Sequence, residues 1–149
     1  MINSIKTDSS HPDFIALVKE LDSYLKTTDG DEHDFYNQFN NIDVIKHVII
    51  VYSDNQAIAC GAFKEFNSDS VEIKRMYTKP KSRGKGLASL VLKELENWAL
   101  VIGYKNCVLE TGKRQTEAVN FYKKCSYEVI PNYGQYQNME NSISFKKTL

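Results

Sequence analysis

Lys81-Ser82-Arg83-Gly84-Lys85-Gly86-Leu87-Ala88-Ser89 decides how this chain is read. Two glycines, one residue apart, stand at the head of a long stretch of helical periodicity. Ahead of them lies a strand-like run, Val71-Glu72-Ile73-Lys74-Arg75-Met76-Tyr77-Thr78, joined by Lys79-Pro80. A glycine-rich turn entering a helix leaves backbone N–H groups without intrahelical partners. With the helix dipole they form an anion site. Gly84 and Gly86 let the backbone approach a phosphate with no Cβ in the way. Lys81, Arg83 and Lys85 add positive charge, so a diphosphate is the natural ligand. The plain alternative is a solvated basic turn, because Gly-x-Gly alone is weak. A Walker A sequence is absent, and Ser89 stands where the dinucleotide fingerprint has its third glycine.

Outward from this turn, residues 84–102 read as the main helix. Leu87, Leu90, Val91, Leu95, Trp98 and Ile102 lie on one face, and Gly103 stops it. A short apolar strand follows at 106–110, and a strand–helix–strand crossover makes it parallel to 71–78. A helix over 115–124 and strands over 127–130 and 142–146 complete this half. The polar, aromatic loop Pro131-Asn132-Tyr133-Gly134-Gln135-Tyr136 lies between the last two strands. Before the turn, strands over 47–52 and 57–64 form a hairpin that continues into 71–78. Alternation puts Glu72, Lys74 and Met76 on one face of that strand and Arg75 and Tyr77 on the other. A first strand is expected over 2–7 and a helix over 11–27, where Phe14, Leu17, Val18, Leu21 and Leu25 recur at helical spacing. Ser10 is its expected N-cap, with Pro12 in the first turn. A second, shorter helix is expected over 32–41. His11, His33 and His47 are isolated and read as surface residues.

The 149 residues have the size of one ordinary domain, and a single domain over 1–149 is the expectation. At 42% hydrophobic and 26% charged the chain can build a sizeable core. Zero formal net charge argues against non-specific nucleic-acid binding. No apolar stretch approaches a membrane span, and residues 1–6 lack the apolar core of a signal peptide. Cys60, Cys107 and Cys125 are scattered and odd in number, which fits reduced thiols in a cytoplasmic protein. No Cys/His cluster has metal-ligand spacing, so no metal is expected. A homodimer stays open.

The run from Met76 to Ala88 resembles the acetyl-CoA-binding motif of the GNAT family of N-acetyltransferases, Gln/Arg-x-x-Gly-x-Gly/Ala after an extended strand and a proline. Lys81 is taken as the residue at the Gln/Arg position. The run Ala118-Val119-Asn120-Phe121-Tyr122-Lys123-Lys124-Cys125-Ser126-Tyr127 resembles the family's second signature, Ala-x-x-x-Tyr-x-x-x-Gly-Phe. The resemblance implies a three-layer α/β fold. Its central sheet is mixed and mostly antiparallel, splayed between strands four and five and flanked by about four helices. It also implies acetyl-CoA as cosubstrate, held by Met76, Tyr77, Thr78, Arg83, Gly84, Lys85, Gly86, Leu87, Ala88, Ser89 and Gln115.

Acetyl transfer to an amine needs a base for the ammonium, a donor for the developing oxyanion and a proton for the leaving thiolate. By the resemblance Tyr122 is that acid and the Met76 N–H that donor; the alternative is a packed aromatic. Two carboxylates stand as the base, directly or through water. Glu110 lies twelve residues before Tyr122, as in ribosomal-protein alanine acetyltransferases, and Glu72 lies where histone-type members keep theirs. Either could instead be a solvated strand residue. Gln115 and Ser126 depart from the family's asparagine and glycine. If position 126 has positive φ, serine costs roughly 1 kcal/mol there. Tyr133, Tyr136 and the first two helices are expected to wall the acceptor site. Glu72, Lys74, Arg75, Glu110 and Arg114 could suit a zwitterion, a small polyamine or a peptide terminus. The expected activity is acetyl transfer to a primary amine of a small molecule or peptide, in a ternary complex. The rival is a non-catalytic acyl-CoA sensor.

Overall fold

The computed structural model of the chain describes residues 1–29 and 44–149. The helix expected over 32–41, and His33, lie outside the described residues. Seven strands form one mixed sheet: β1 (Ile2–Thr7), β2 (His47–Ser53), β3 (Gln56–Asn67), β4 (Ser70–Thr78), β5 (Asn106–Gly112), β6 (Glu128–Ile130) and β7 (Ser142–Thr148). Their spatial order is β1-β2-β3-β4-β5-β7-β6. Every neighbouring pair is antiparallel except β4 and β5, which are parallel as the crossover rule requires. Three helices are described: α1 (Pro12–Asp29), α2 (Leu87–Val101) and α3 (Thr116–Lys124).

The sheet is buried on both faces. Ile49, Val51, Val71, Ile73, Leu109 and Phe145 pack with Leu87, Val91, Leu92 and Leu95 of α2 and Tyr122 of α3. On the other face Val48, Ile50, Cys60 and Ala62 pack with Phe14, Leu17, Val18 and Leu21 of α1. Full burial of each such side chain contributes about 1.5–3 kcal/mol before entropy is counted. The apolar stripe predicted for α1 is therefore the one that buries. On α2, Leu90 and Ile102 stay exposed and Leu92, Glu96 and Ala99 are buried instead. The Glu96 carboxylate is satisfied by the Tyr127 hydroxyl at 2.8 Å and by Lys147 at 3.0 Å. His47 is half-buried rather than a plain surface residue, its ring stacked on Phe63 at 4.5 Å. The three cysteines are free, and burial pushes the Cys60 and Cys107 thiols up to about 12.

Two helix starts differ from expectation. His11, not Ser10, caps α1: its Nδ1 accepts from the Asp13 N–H at 3.1 Å, while Ser10 turns back to bond Asp8. Helix α2 begins at Leu87 rather than 84, because Gly84 and Gly86 both have φ near +78°, outside the helical basin.

Two features of the sheet shape the space beside β4. Strands β4 and β5 pair over only three registers, Ser70 with Asn106, Val71 with Cys107 and Glu72 with Val108. Strand β4 also carries a bulge: Cys60 pairs with Tyr77 and Ala62 with Lys74, so Gly61 alone faces Arg75 and Met76. Arg75 takes the left-handed conformation at φ 59°. The bulge breaks the expected alternation at Met76, which parts from Glu72 and Lys74, while Arg75 and Tyr77 share the opposite face as expected. Met76 packs with Val71 and Ile73 in the cluster under α2, whereas Tyr77 joins the cluster under α1 and Arg75 bonds Asp22 of α1 at 2.7 Å.

Gly61 is required by this packing. A Cβ there would lie 2.5 Å from the Met76 sulfur, 2.7 Å from Val91 and 2.9 Å from Leu95. Gly61→Ala should cost about 1–2 kcal/mol, the overpacking penalty less the entropy that alanine removes from the unfolded chain. Ser126 does have positive φ, at 74°. Ser126→Gly should therefore gain up to about 1 kcal/mol. Thermal unfolding of both variants checks the pair, with opposite shifts of a few °C expected.

Candidate active site

The loop after β4 is built by local hydrogen bonds. The Ser82 and Arg83 N–H groups bond the carbonyls of Lys79 and Pro80 in a single 3-10 turn, Pro80–Ser82. The Arg83 Nε–H then reaches back to the Thr78 carbonyl at 3.0 Å. Its guanidinium lies over the rings of Tyr24 and Tyr77, at 5.5 and 5.9 Å. Gly86 is the N-cap of α2, and no side chain caps that helix end. A Cβ on Gly84 or Gly86 would meet nothing within 4 Å, so the loop faces open space. The 15-residue helix thus starts uncapped by any side chain, with Gly86, Leu87, Ala88 and Ser89 of its first turn on the wall of that space.

That space is a cleft of about 500 Å³ between α1, β4, α2 and α3. Met76, Tyr77, Thr78, Arg83, Gly84, Gly86, Leu87, Ala88, Ser89 and Gln115 all line it, and Lys85 does not. Lys81 is exposed and lies outside it as well. The basic residue that closes the loop is Arg83, so the motif is read from Arg83 as Arg83-Gly84-Lys85-Gly86-Leu87-Ala88 rather than from Lys81. Helix α1 adds Leu21, read from the sequence only as part of its apolar stripe, and Tyr24, which the sequence did not single out.

A second cavity of about 120 Å³ opens where β4 and β5 diverge. It is lined by Glu72, Lys74 and Arg75 of β4, Glu110 and Thr111 of β5, Leu21 and Leu25 of α1, and Tyr136. Both candidate bases therefore face one space. The two cavities share Leu21, Met76, Gln115, Ala118 and Tyr122. Arg114 is exposed and lines neither.

Glu72 is buried, at 5% exposure. Its Oε2 accepts from the Tyr133 hydroxyl at 2.7 Å, and Lys64 and Lys74 stand 4.0 Å from its other oxygen. Tyr133 in turn packs edge-on against Phe66 and Tyr136. Burial and then the Glu72 charge raise the Tyr133 phenol, so it stays a donor. Asn132 holds this loop: its amide donates to the Met139 and Ser142 carbonyls at 3.1 and 3.0 Å, and its oxygen accepts from Ser144. Lys74 is held below the usual lysine range, first by burial. Glu72 and then Glu110 oppose that shift, while Lys64 and Arg75 add to it.

Tyr122 packs among Phe121, Tyr127 and Phe145, with ring centroids 5.1–5.9 Å apart. Burial, with a smaller push from Cys125, raises its hydroxyl above the ordinary tyrosine value, so it is protonated at any physiological pH. Among the described residues, no group of three or more His, Cys, Asp or Glu is placed to hold a metal ion. No described helix is long and apolar enough to cross a membrane.

The acetyltransferase (GNAT) family model matches residues 14–127, which span both cavities' walls except Tyr136. Among curated proteins, an uncharacterized N-acetyltransferase of Schizosaccharomyces pombe is 28% identical over 141 residues, covering 89% of this chain and 85% of its own. A crystal structure from Klebsiella pneumoniae, described as an acyl-CoA N-acyltransferase, superposes with a TM-score of 0.84 at 27% identity. It covers 100% of this chain and 98% of its own. A GNAT acetyltransferase from Elizabethkingia anophelis, solved with acetyl-CoA bound, superposes at 0.72 with 16% identity over 99% and 98% of the two chains, which bears on the fold alone. By the extent of the family match, this chain belongs to the GNAT acetyltransferase family.

Proposed function

We propose that the protein is an acetyl-CoA-dependent N-acetyltransferase acting on a primary amine of a small molecule or peptide by direct attack in a ternary complex. The observation that carries this reading is the junction of two cavities at Met76 and Tyr122. One cavity has an uncapped helix N-terminus and open glycines on its wall, suited to a diphosphate. The other carries two carboxylates, suited to an ammonium. A sensor that only binds acyl-CoA has no use for the second.

Acetyl-CoA would supply the acetyl group as a reactive thioester. The start of α2 and the Gly84–Gly86 backbone would hold its diphosphate, with Arg83 keeping the loop against Thr78. The Met76 N–H, in the register gap opposite Gly61, would donate to the acetyl oxygen as negative charge develops there. Glu72 or Glu110 would take the ammonium proton, directly or through water. Tyr122, at the junction, would protonate the departing thiolate.

Glu72→Gln and Glu110→Gln keep shape and remove charge. At least one should lose turnover by roughly 10²-fold or more, the range of general base catalysis, while acetyl-CoA affinity holds and the acidic limb of the pH–rate profile changes. Steady-state rates across pH for both variants decide this. Two wild-type profiles would leave neither carboxylate as the base.

Tyr122→Phe keeps the buried ring. Turnover should fall by roughly 10²-fold, with acetyl-CoA affinity changed by under about 1 kcal/mol and the thermal midpoint nearly kept. A folded variant with near-normal turnover would make Tyr122 a packing residue only. Because its phenol is raised, no alkaline loss of activity below about pH 10 should trace to it.

A further inference from the structure

The cavity assigned to the acceptor holds a cation that a pocket for a simple amine does not need. The Lys74 side chain is only 8% exposed and lines the 120 Å³ space. For an ammonium arriving alone, this charge would offset part of the attraction of Glu72 and Glu110. Arg75 lines the same space, but its guanidinium is committed to Asp22 at 2.7 Å. Lys74 stands 4.0 Å from Glu72 and within the field of Glu110. One ammonium and two carboxylates therefore share a single wall. That is the charge pattern complementary to a molecule carrying both an amino group and a carboxylate.

Size points the same way. A volume of 120 Å³ corresponds to about four waters at roughly 30 Å³ each, the scale of the aminocarboxylate head of a small acceptor.

We propose that the acceptor is a small aminocarboxylate, its carboxylate facing Lys74 and its amino group directed to the junction at Met76 and Tyr122. This rests on the transferase reading. Lys74 is then a specificity residue that reads the acceptor's negative end.

The test is thiol release from acetyl-CoA with matched acceptors: free amino acids, the amines left by removing their carboxylate, their amides, and tripeptides. Free amino acids should exceed the matched amines and amides in kcat/KM by roughly 10- to 100-fold, the range of one charge-assisted hydrogen bond. Lys74→Met should bring that ratio near one in a folded variant with acetyl-CoA affinity kept, and Lys74→Arg should restore part of it. Equal or better rates with amines, amides or tripeptides in the wild-type protein would overturn the assignment while leaving the transferase reading intact. An undiminished ratio in a folded Lys74→Met variant would overturn the role of Lys74. Acetyl-CoA binding with no thiol release from any acceptor would overturn the transferase reading itself.

Discussion

Strand β4 cannot stay paired with β5. Their parallel ladder lasts from Ser70 to Glu72, and beyond it the strands separate. A few residues later, the bulge at Arg75 and Met76 turns β4 again. An unbroken ladder would fill the gap with backbone hydrogen bonds. The divergence leaves a cavity between Glu72, Lys74 and Glu110 instead, and the bulge sends Met76 toward α2 and Arg75 toward α1. Left-handed backbone at a non-glycine residue costs of order 1–3 kcal/mol. The Arg75–Asp22 ion pair and the Cys60 thiol on the Arg75 carbonyl hold the chain in that shape. Gly61 makes the turn feasible, since any side chain there would displace Met76.

The electrostatics follow from this geometry. Glu72 is buried, accepts a hydrogen bond from the Tyr133 phenol and has two lysines 4.0 Å away. Lys74 is caught between burial, which favours its neutral form, and two carboxylates, which favour the cation. Tyr122 and Tyr133 are both raised, so both are donors: one at the cavity junction, the other on a candidate base. The uncapped start of α2 lines one cleft, and the opposed charges of Glu72, Lys74 and Glu110 line the cavity that adjoins it.

Much of this was legible in the sequence, because it rests on local signals. Glycines 84 and 86 mark the helix start, the apolar spacing of α1 gives its buried face, and the crossover rule gives the parallel pair. Tyr122, Glu110, Glu72 and Gln115 fell on cavity walls because strand ends and helix faces carry them there. The failures are tertiary. Nothing in Ile73-Lys74-Arg75-Met76 signals a bulge: Arg75 is an ordinary strand residue whose φ is set by Gly61 and Asp22 across space, so the alternation rule misassigned Met76. The choice between Lys81 and Arg83 turned on which side chain reaches back to Thr78, a contact local sequence does not encode. Tyr24 joins the cleft wall only because α1 docks across β4, and Asn132 is a loop latch only once β7 brings Ser142 and Ser144 beside it.

The central claim is that the glycine turn before α2 holds the diphosphate of acetyl-CoA, and Gly86→Asp tests it most directly. Aspartate tolerates the left-handed conformation better than most residues, and its Cβ meets no neighbour, so the fold should survive. Its carboxylate would face the bound diphosphate. Titration calorimetry of acetyl-CoA should show affinity weakened at least tenfold, about 1.4 kcal/mol. Unchanged affinity in a folded Gly86→Asp variant would contradict the account.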